Sequence, residues 1–285
     1  MALFPNDQDG KLYDIVVAPY EQGQKRKGVA AGSTELSNML QEYLRKTNYM
    51  WTIRELRILP QLKNWADDYK MLYDALKEKQ SYILLGGDHS IGQSSVAASL
   101  YKVLHSTDST KEPTPNDLGV IWIDAHPDTN TFEASLSKNF HGMPLAGIVG
   151  YEKPWFETKA TLPTKNLLYF GIRDIDDFEN KKITENSVFN TMSCKDLILK
   201  VDSMIKENPN IKFHISWDVD SLDPTILDST GCLAPNGLIP SDIYTIVNYL
   251  KGKLIAMDIV EYNPLLGDRA KSASVMSDIF SHIEF

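Results

Sequence analysis

With 285 residues and 42% hydrophobic content, the chain can build one sizeable α/β core, and no break divides it, so residues 1–285 are expected to form a single domain. A formal net charge of −9 gives no electrostatic support for binding nucleic acid, and no run approaches the roughly 18 apolar residues of a membrane helix. The two cysteines, Cys194 and Cys232, form no disulfide framework, and MALFPNDQDGKLYD lacks the basic and apolar regions of a secretory signal, which points to a reducing, cytoplasmic setting.

In chain order, Asp14 to Pro19 reads as a first strand, followed by the Gly-rich loop EQGQKRKGVAAGS, which has neither phosphate-binding glycine spacing. Leu36, Met39, Leu40, Tyr43 and Leu44 then mark a helix, with Ser33 or Thr34 as its cap. Residues 50–58 read as a second strand. Residues 62–79 read as a helix whose core face carries Trp65, Tyr69, Leu72, Tyr73 and Leu76. Ser81 to Leu85 is a strand that runs through Gly86 and Gly87 to His89, before a helix over 90–104. After a polar loop over 106–117 comes the strand Leu118–Ile123, then strands over Asn166–Ile172, Ile211–Trp217 and Leu254–Ile259. Helices are expected over 193–206, from a Ser241 cap through Leu250, and over 270–282. This alternation predicts a mostly parallel central sheet in a three-layer α/β/α sandwich, with functional groups at the carboxyl ends of the strands.

The chemistry gathers at those ends. Asp124, His126 and Asp128 leave one strand end two residues apart, and in an extended chain such side chains point the same way, about 6.6 Å apart. A single Asp there would be a turn or cap residue; three alternating metal-capable groups are harder to explain so. With His89, Asp218 and Asp220 the set holds four carboxylates and two imidazoles from three strands. Packed together, four carboxylates repel, and two divalent cations would cancel them. Oxygen-rich ligands with a few imidazoles and no thiolate favour Mn²⁺, with Fe²⁺, Co²⁺ or Zn²⁺ as alternatives. Two such ions on shared carboxylates can activate one water. By contrast, His105, His214 and His282 read as ordinary histidines, Asp223 before Pro224 as a turn residue and Cys232 as a packing thiol. Asp258 reads as a hydrogen-bond acceptor that orients a ligand without binding metal itself.

The motifs GGDHS, DAHPD with NFHG downstream, SWDVDSLDP and DIVEYNP, in this order, resemble the ureohydrolase family, and its arginases most closely. The resemblance implies a binuclear manganese centre, two Mn²⁺ per chain. His89, Asp124, Asp128 and Asp218 would hold one ion and Asp124, His126, Asp218 and Asp220 the other. It further implies hydrolysis of L-arginine to L-ornithine and urea, with catalytic roles for Asp128, for His141 as a mobile acid/base and for Glu261 as partner of the guanidinium. Asn130, Ser135, Ser137 and Asn139 in NTFEASLSKNFHG would take the α-carboxylate, and Asp176 with Glu179 the α-amino group. Pro127 and Cys232 stand where arginases commonly carry Thr. A homotrimer is the assembly the resemblance implies. Agmatine is the nearest alternative substrate; a single-zinc deacetylase and a non-catalytic binding protein are the readings the two-metal pattern disfavours.

Overall fold

The computed structural model describes residues 12–46, 52–57, 59, 64–106 and 112–284. Among the described residues eight strands, β1 (Leu12–Ala18), β2 (Thr52–Arg57), β3 (Tyr82–Gly86), β4 (Leu118–Ile123), β5 (Leu167–Phe170), β6 (Phe189–Thr191), β7 (Lys212–Asp218) and β8 (Leu254–Val260), form one sheet in the order β2-β1-β3-β8-β7-β4-β5-β6. Every neighbouring pair is parallel. Because helices cover both faces, the central strands are mostly apolar, with Asp258 in β8 the polar exception among β3, β4 and β8, and all three are buried at every position.

The strands deal their side chains alternately to two cores. Ile15, Val17, Ile83, Leu85, Ile121 and Ile123 face one side, against α1 (Val29–Lys46), α6 (Cys194–Glu207), α7 (Pro240–Tyr249) and α8 (Arg269–His282). Val16, Leu84, Val120 and Trp122 face the other, against α2 (Trp65–Lys77), α3 (Gly92–Leu104) and α4 (Pro144–Val149). That is the three-layer sandwich. A further helix, α5 (Asp177–Glu185), follows β5.

Several boundaries differ from the sequence reading. The first helix starts at Val29, so Ser33 and Thr34 lie inside it, and the Ser33 hydroxyl donates back to Ala30 O at 2.8 Å. Ser241 lies within the first turn of α7, which begins at Pro240, a residue preset for that place. Asn64 caps α2, its side chain accepting from Ala66 N. Residues 50, 51 and 58 of the second strand, 62 and 63 of the next helix and 107–111 of the polar loop lie outside the described residues. The four adjacent central strands, β3, β8, β7 and β4, all point their carboxyl ends the same way, and the site is built there.

Candidate metal centre and substrate cleft

At the end of β3 the chain turns through Gly87, where a Cβ would stand 1.8 Å from Tyr20 O; only glycine lets the two backbones touch. Asp88 then caps the next turn, accepting from Ser90 N at 3.1 Å and from Gly23 N at 2.7 Å, and delivers His89 to the sheet end. The His89 ring lies flat on Trp122, centroids 4.0 Å apart and planes 6° apart. At Gly92 a Cβ would reach within 2.6 Å of the same indole, so glycine lets α3 start this close. Trp122 Nε1 in turn donates to Asp124 Oδ2 at 3.0 Å.

The six residues singled out for metal converge. His89 Nδ1 lies 2.9 Å from Asp124 Oδ2, 3.1 Å from Asp128 Oδ2 and 3.4 Å from Asp218 Oδ2. His126 Nδ1 lies 3.3 Å from Asp124 Oδ1 and 3.2 Å from Asp220 Oδ2. Two groups suited to a cation follow, His89 with Asp124 and Asp128, and Asp124 with His126 and Asp220; Asp124 belongs to both. Asp218 caps the turn after β7, accepting from Asp220 N at 2.8 Å, which sets the two acids side by side.

These donors fit cations on their own chemistry. His89 Nδ1 is fully buried and makes no hydrogen bond, despite three carboxylates around it. Ser216 fixes the ring from behind: its hydroxyl donates to Asp258 Oδ2 at 3.0 Å and so accepts from His89 Nε2 at 2.9 Å, leaving the Nδ1 lone pair for a ligand role. Asp258, buried within β8, also accepts from His214 Nε2 at 2.9 Å and from Ser95 Oγ at 2.5 Å. It orients a site residue, and His214 is its partner.

The charges tell the same story. Burial, then Asp220 and Asp124, push the Asp218 carboxyl well above the carboxylate range. Burial and Asp124 push Asp128 up to about 7, and burial, eased by His126, leaves Asp220 at about 6. Burial would raise Asp124 too, but His126 and His89 outweigh it and hold it low. Burial opposes a charge on either imidazole; the aspartates around them nevertheless hold His89 and His126 far above the usual range. Four acids and two imidazoles thus divide protons among themselves, and two divalent ions would satisfy all six at once.

Glu261 follows β8 and is buried. Its Oε1 accepts from His89 N at 2.9 Å and pairs with His141 Nδ1 at 3.0 Å, while Oε2 accepts from Gln24 Nε2 at 2.7 Å. Burial opposes the imidazolium, but Glu261 lifts His141 to about 9; burial likewise opposes the carboxylate, but His141 keeps Glu261 low. Asp128 and Glu261 both adopt left-handed backbone, φ 52 and 65, which costs non-glycine residues and concentrates at functional sites.

Over these donors opens a cleft of about 170 Å³, lined by Asn130, Ser135, Ser137, Asn139, His141, Asp174, Asp176, Glu179 and Cys232 as well as by His126, Asp128, Asp218, Asp220 and Glu261. Ser137 is exposed there and Asn139 half-buried, while Ser135 is buried and its Oγ accepts from Lys138 N at 3.1 Å. Asn130 is nearly buried and its Nδ2 donates to Asp176 Oδ2 at 2.6 Å, so two expected substrate contacts hold each other. Glu179 sits deeper, accepting from Thr129 N at 2.8 Å, with burial and then Asp128 lifting it to about 8. A larger cavity of about 450 Å³, lined by Lys77, Lys79, Lys102 and Lys212, opens by the amino ends of the strands, away from this chemistry.

Sequence reading gave no site role to Gln24 or Asp174. Gln24 sits in a loop without a motif, and only its bond to Glu261 reveals it. Asp174 lies 3.6 Å from His126 Nε2 at the cleft edge; its place two residues before Asp176 was the available signal. Cys232, expected to pack, is instead an exposed residue on the cleft wall whose thiol faces inward enough that desolvation, the largest cause, lifts it to about 12. Asp223 is a turn residue as expected, accepting from Thr225 N at 2.9 Å and Gly237 N at 3.1 Å.

The model of the arginase family matches residues 12–284. The chain belongs to the arginase family. The arginase of Plasmodium berghei is 34% identical over 220 residues, which are 72% of this chain and 58% of that relative, so the chain spans less than two thirds of this curated relative's length. Among solved structures, the Entamoeba histolytica arginase in complex with L-ornithine superposes with a TM-score of 0.83 at 25% identity, covering 96% of this chain and 98% of that one. A formimidoylglutamase from Bacillus subtilis shares the fold, with a TM-score of 0.69 at 18% identity over 97% of this chain and 88% of that one. Among the described residues of this arginase-family chain, no helix is long and apolar enough to cross a membrane.

Proposed function

We propose that the chain hydrolyses L-arginine to L-ornithine and urea at a two-manganese site. One observation carries this reading: a set of four buried aspartates, the buried His89 and the half-buried His126 opens into a cleft whose rim holds Ser137, Asn139 and Asp176. That rim offers donors for an α-carboxylate and an acid for an α-amino group, while the floor suits a guanidinium. His89, Asp124, Asp128 and Asp218 would hold one ion, and Asp124, His126, Asp218 and Asp220 the other, with Asp124 and Asp218 shared. Bound there, the two ions supply the charge that makes water a nucleophile near neutral pH.

The chain's own groups do the rest. Asp128 orients the attacking water through its carboxylate. Glu261 presents two oxygens to the flat guanidinium fork, sharing them with Gln24 and His141. The water oxygen, giving a proton to the Asp128 carboxylate, bonds to the guanidinium carbon; collapse to urea then breaks the bond from that carbon to the ε-nitrogen of arginine, which leaves as the δ-amine of ornithine. His141, held protonated by Glu261, stands ready to pass a proton to that departing nitrogen. The test is urea release from L-arginine and from agmatine in parallel, with and without Mn²⁺, with formimidoylglutamate as a third substrate assayed for loss. Manganese-dependent urea from arginine alone supports the reading; preference for either other substrate sinks it.

A further inference from the structure

Trp65 begins α2, and the helical pattern counts it with the core residues Tyr69, Leu72 and Leu76. The residue is instead 38% exposed, and its ring lies on Phe140, centroids 4.5 Å apart and planes 24° apart. Trp155 meets both edge-on, 5.4 Å from Trp65 and 5.6 Å from Phe140. Phe132 stacks near Phe140 as well, centroids 6.1 Å apart. Phe140 immediately precedes His141, and Phe132 and Phe140 stand on the two arms of the loop that carries Ser135, Ser137 and Asn139.

The loop is tied within itself. Lys138 Nζ donates to Phe132 O at 2.6 Å and to Glu133 O at 3.1 Å, and Ser135 N donates to Thr131 O at 2.9 Å. It can therefore be held as one piece, and the question is what fixes that piece to the body of the fold. On one side His141 N donates to Gly23 O at 3.1 Å. On the other the aromatic stack ties Phe140 to α2. Offset aromatic pairs gain attraction beyond the area they bury, and a flat ring face also fixes orientation.

We propose that Trp65, backed by Trp155, is a positioning residue: its stack on Phe140 sets the loop so that His141 meets Glu261 and Ser137 and Asn139 face the cleft. The kinetic side rests on the arginine-hydrolysis reading; the ordering of the loop does not. Trp65 touches no reacting atom, and Phe in its place keeps a ring face where Ala keeps none.

The experiment uses the manganese-loaded protein with Trp65→Ala and Trp65→Phe. Hydrogen–deuterium exchange over residues 129–142 should quicken about tenfold in Trp65→Ala and stay near wild type in Trp65→Phe, with the strand peptides and metal content unchanged. In Trp65→Ala the KM for L-arginine should rise about fivefold through Ser137 and Asn139, and kcat should fall about tenfold through His141; Trp65→Phe should restore both. Unchanged loop exchange in Trp65→Ala overturns the proposal. So does faster loop exchange with unchanged kinetic constants, or a quickening shared by the strand peptides, which would mark a general structural role. If the wild type releases no urea, the arginine reading fails, and the exchange measurement still judges the loop anchor by itself.

Discussion

His141 Nδ1 and Glu261 Oε1 stand 3.0 Å apart, and this pair joins the polar loop to the residue that follows β8. It makes a specific pH prediction. His141 is raised from 6.5 to about 9, burial opposing and Glu261 prevailing, so the folded protein holds this proton more tightly than the unfolded chain. Its contribution is fully present below pH 6.5 and is lost as pH rises through about 9. Glu261 is lowered, so its share is lost on the acid side instead. Urea denaturation of His141→Asn should therefore lack a fall in stability, on the order of 1–3 kcal/mol, that the wild type shows between those two pH values. Parallel curves for the two proteins would contradict it.

A second prediction concerns the shared ligand. Asp124 belongs to both cation groups and, with Asp218, is shared between the ions in the proposed ligand set, so Asp124→Asn should lower manganese content from about two ions per chain to below one and abolish turnover. Asp220→Asn touches one group and should retain about one ion. Because bound ions stabilise only the folded chain, added Mn²⁺ should raise the melting temperature of the wild type and leave Asp124→Asn nearly unmoved. Elemental analysis with thermal melts decides it, and equal metal content in both variants would refute the sharing.

The third concerns the turn that delivers His89. A Cβ at Gly87 would sit 1.8 Å from the backbone oxygen of Tyr20, which no side-chain motion relieves. Gly87→Ala should cost about 4 kcal/mol or more, in the class of changes that force a backbone apart. Manganese affinity should fall with it, since Asp88 and His89 follow directly. A melting temperature within a few degrees of wild type would show that the turn yields more easily than its packing implies.

Much of the fold and of the site is legible in the sequence, for a physical reason. Parallel strands covered on both faces are apolar runs, and side chains two apart in extended chain share a direction, so the strands and the aspartate clusters declared themselves together. What escaped notice lacked such a pattern. In α5, Glu179 is the single buried residue, so no apolar stripe marks the helix. β6 is three residues and α4 six, too short for any period to register. Small residues after Gly28 disguised the start of α1 as loop. Trp65 fitted the helix pattern, but nothing local says that the end of a helix overhangs a loop rather than the core. Likewise the bond between Asn130 and Asp176 joins residues 46 apart and follows only from the fold.

That bond shapes the last prediction, the choice of arginine over agmatine. The two substrates differ by one charged α-carboxylate, and a protein that binds it must replace its water with donors. Asn130 Nδ2 is already engaged by Asp176 at 2.6 Å, whereas Ser137 is exposed on the rim, where its hydroxyl accepts from Asn139 N at 3.2 Å, lies 3.4 Å from Ser135 Oγ and can still donate towards the cleft. Ser137→Ala should therefore act on substrate directly, raising the KM for L-arginine about tenfold with little change in kcat. Asn130→Ala should act through Asp176, releasing its carboxylate and weakening the grip on the α-amino group, with a similar rise in KM. Both lie beyond the cation groups, so metal content should stay at the wild-type value. Agmatine, which lacks the carboxylate, should be a poor substrate for the wild type and insensitive to Ser137→Ala. Steady-state urea release on both substrates separates the cases. Equal efficiency on the two, or an arginine KM unmoved by either change, would leave a family member whose substrate is something other than arginine.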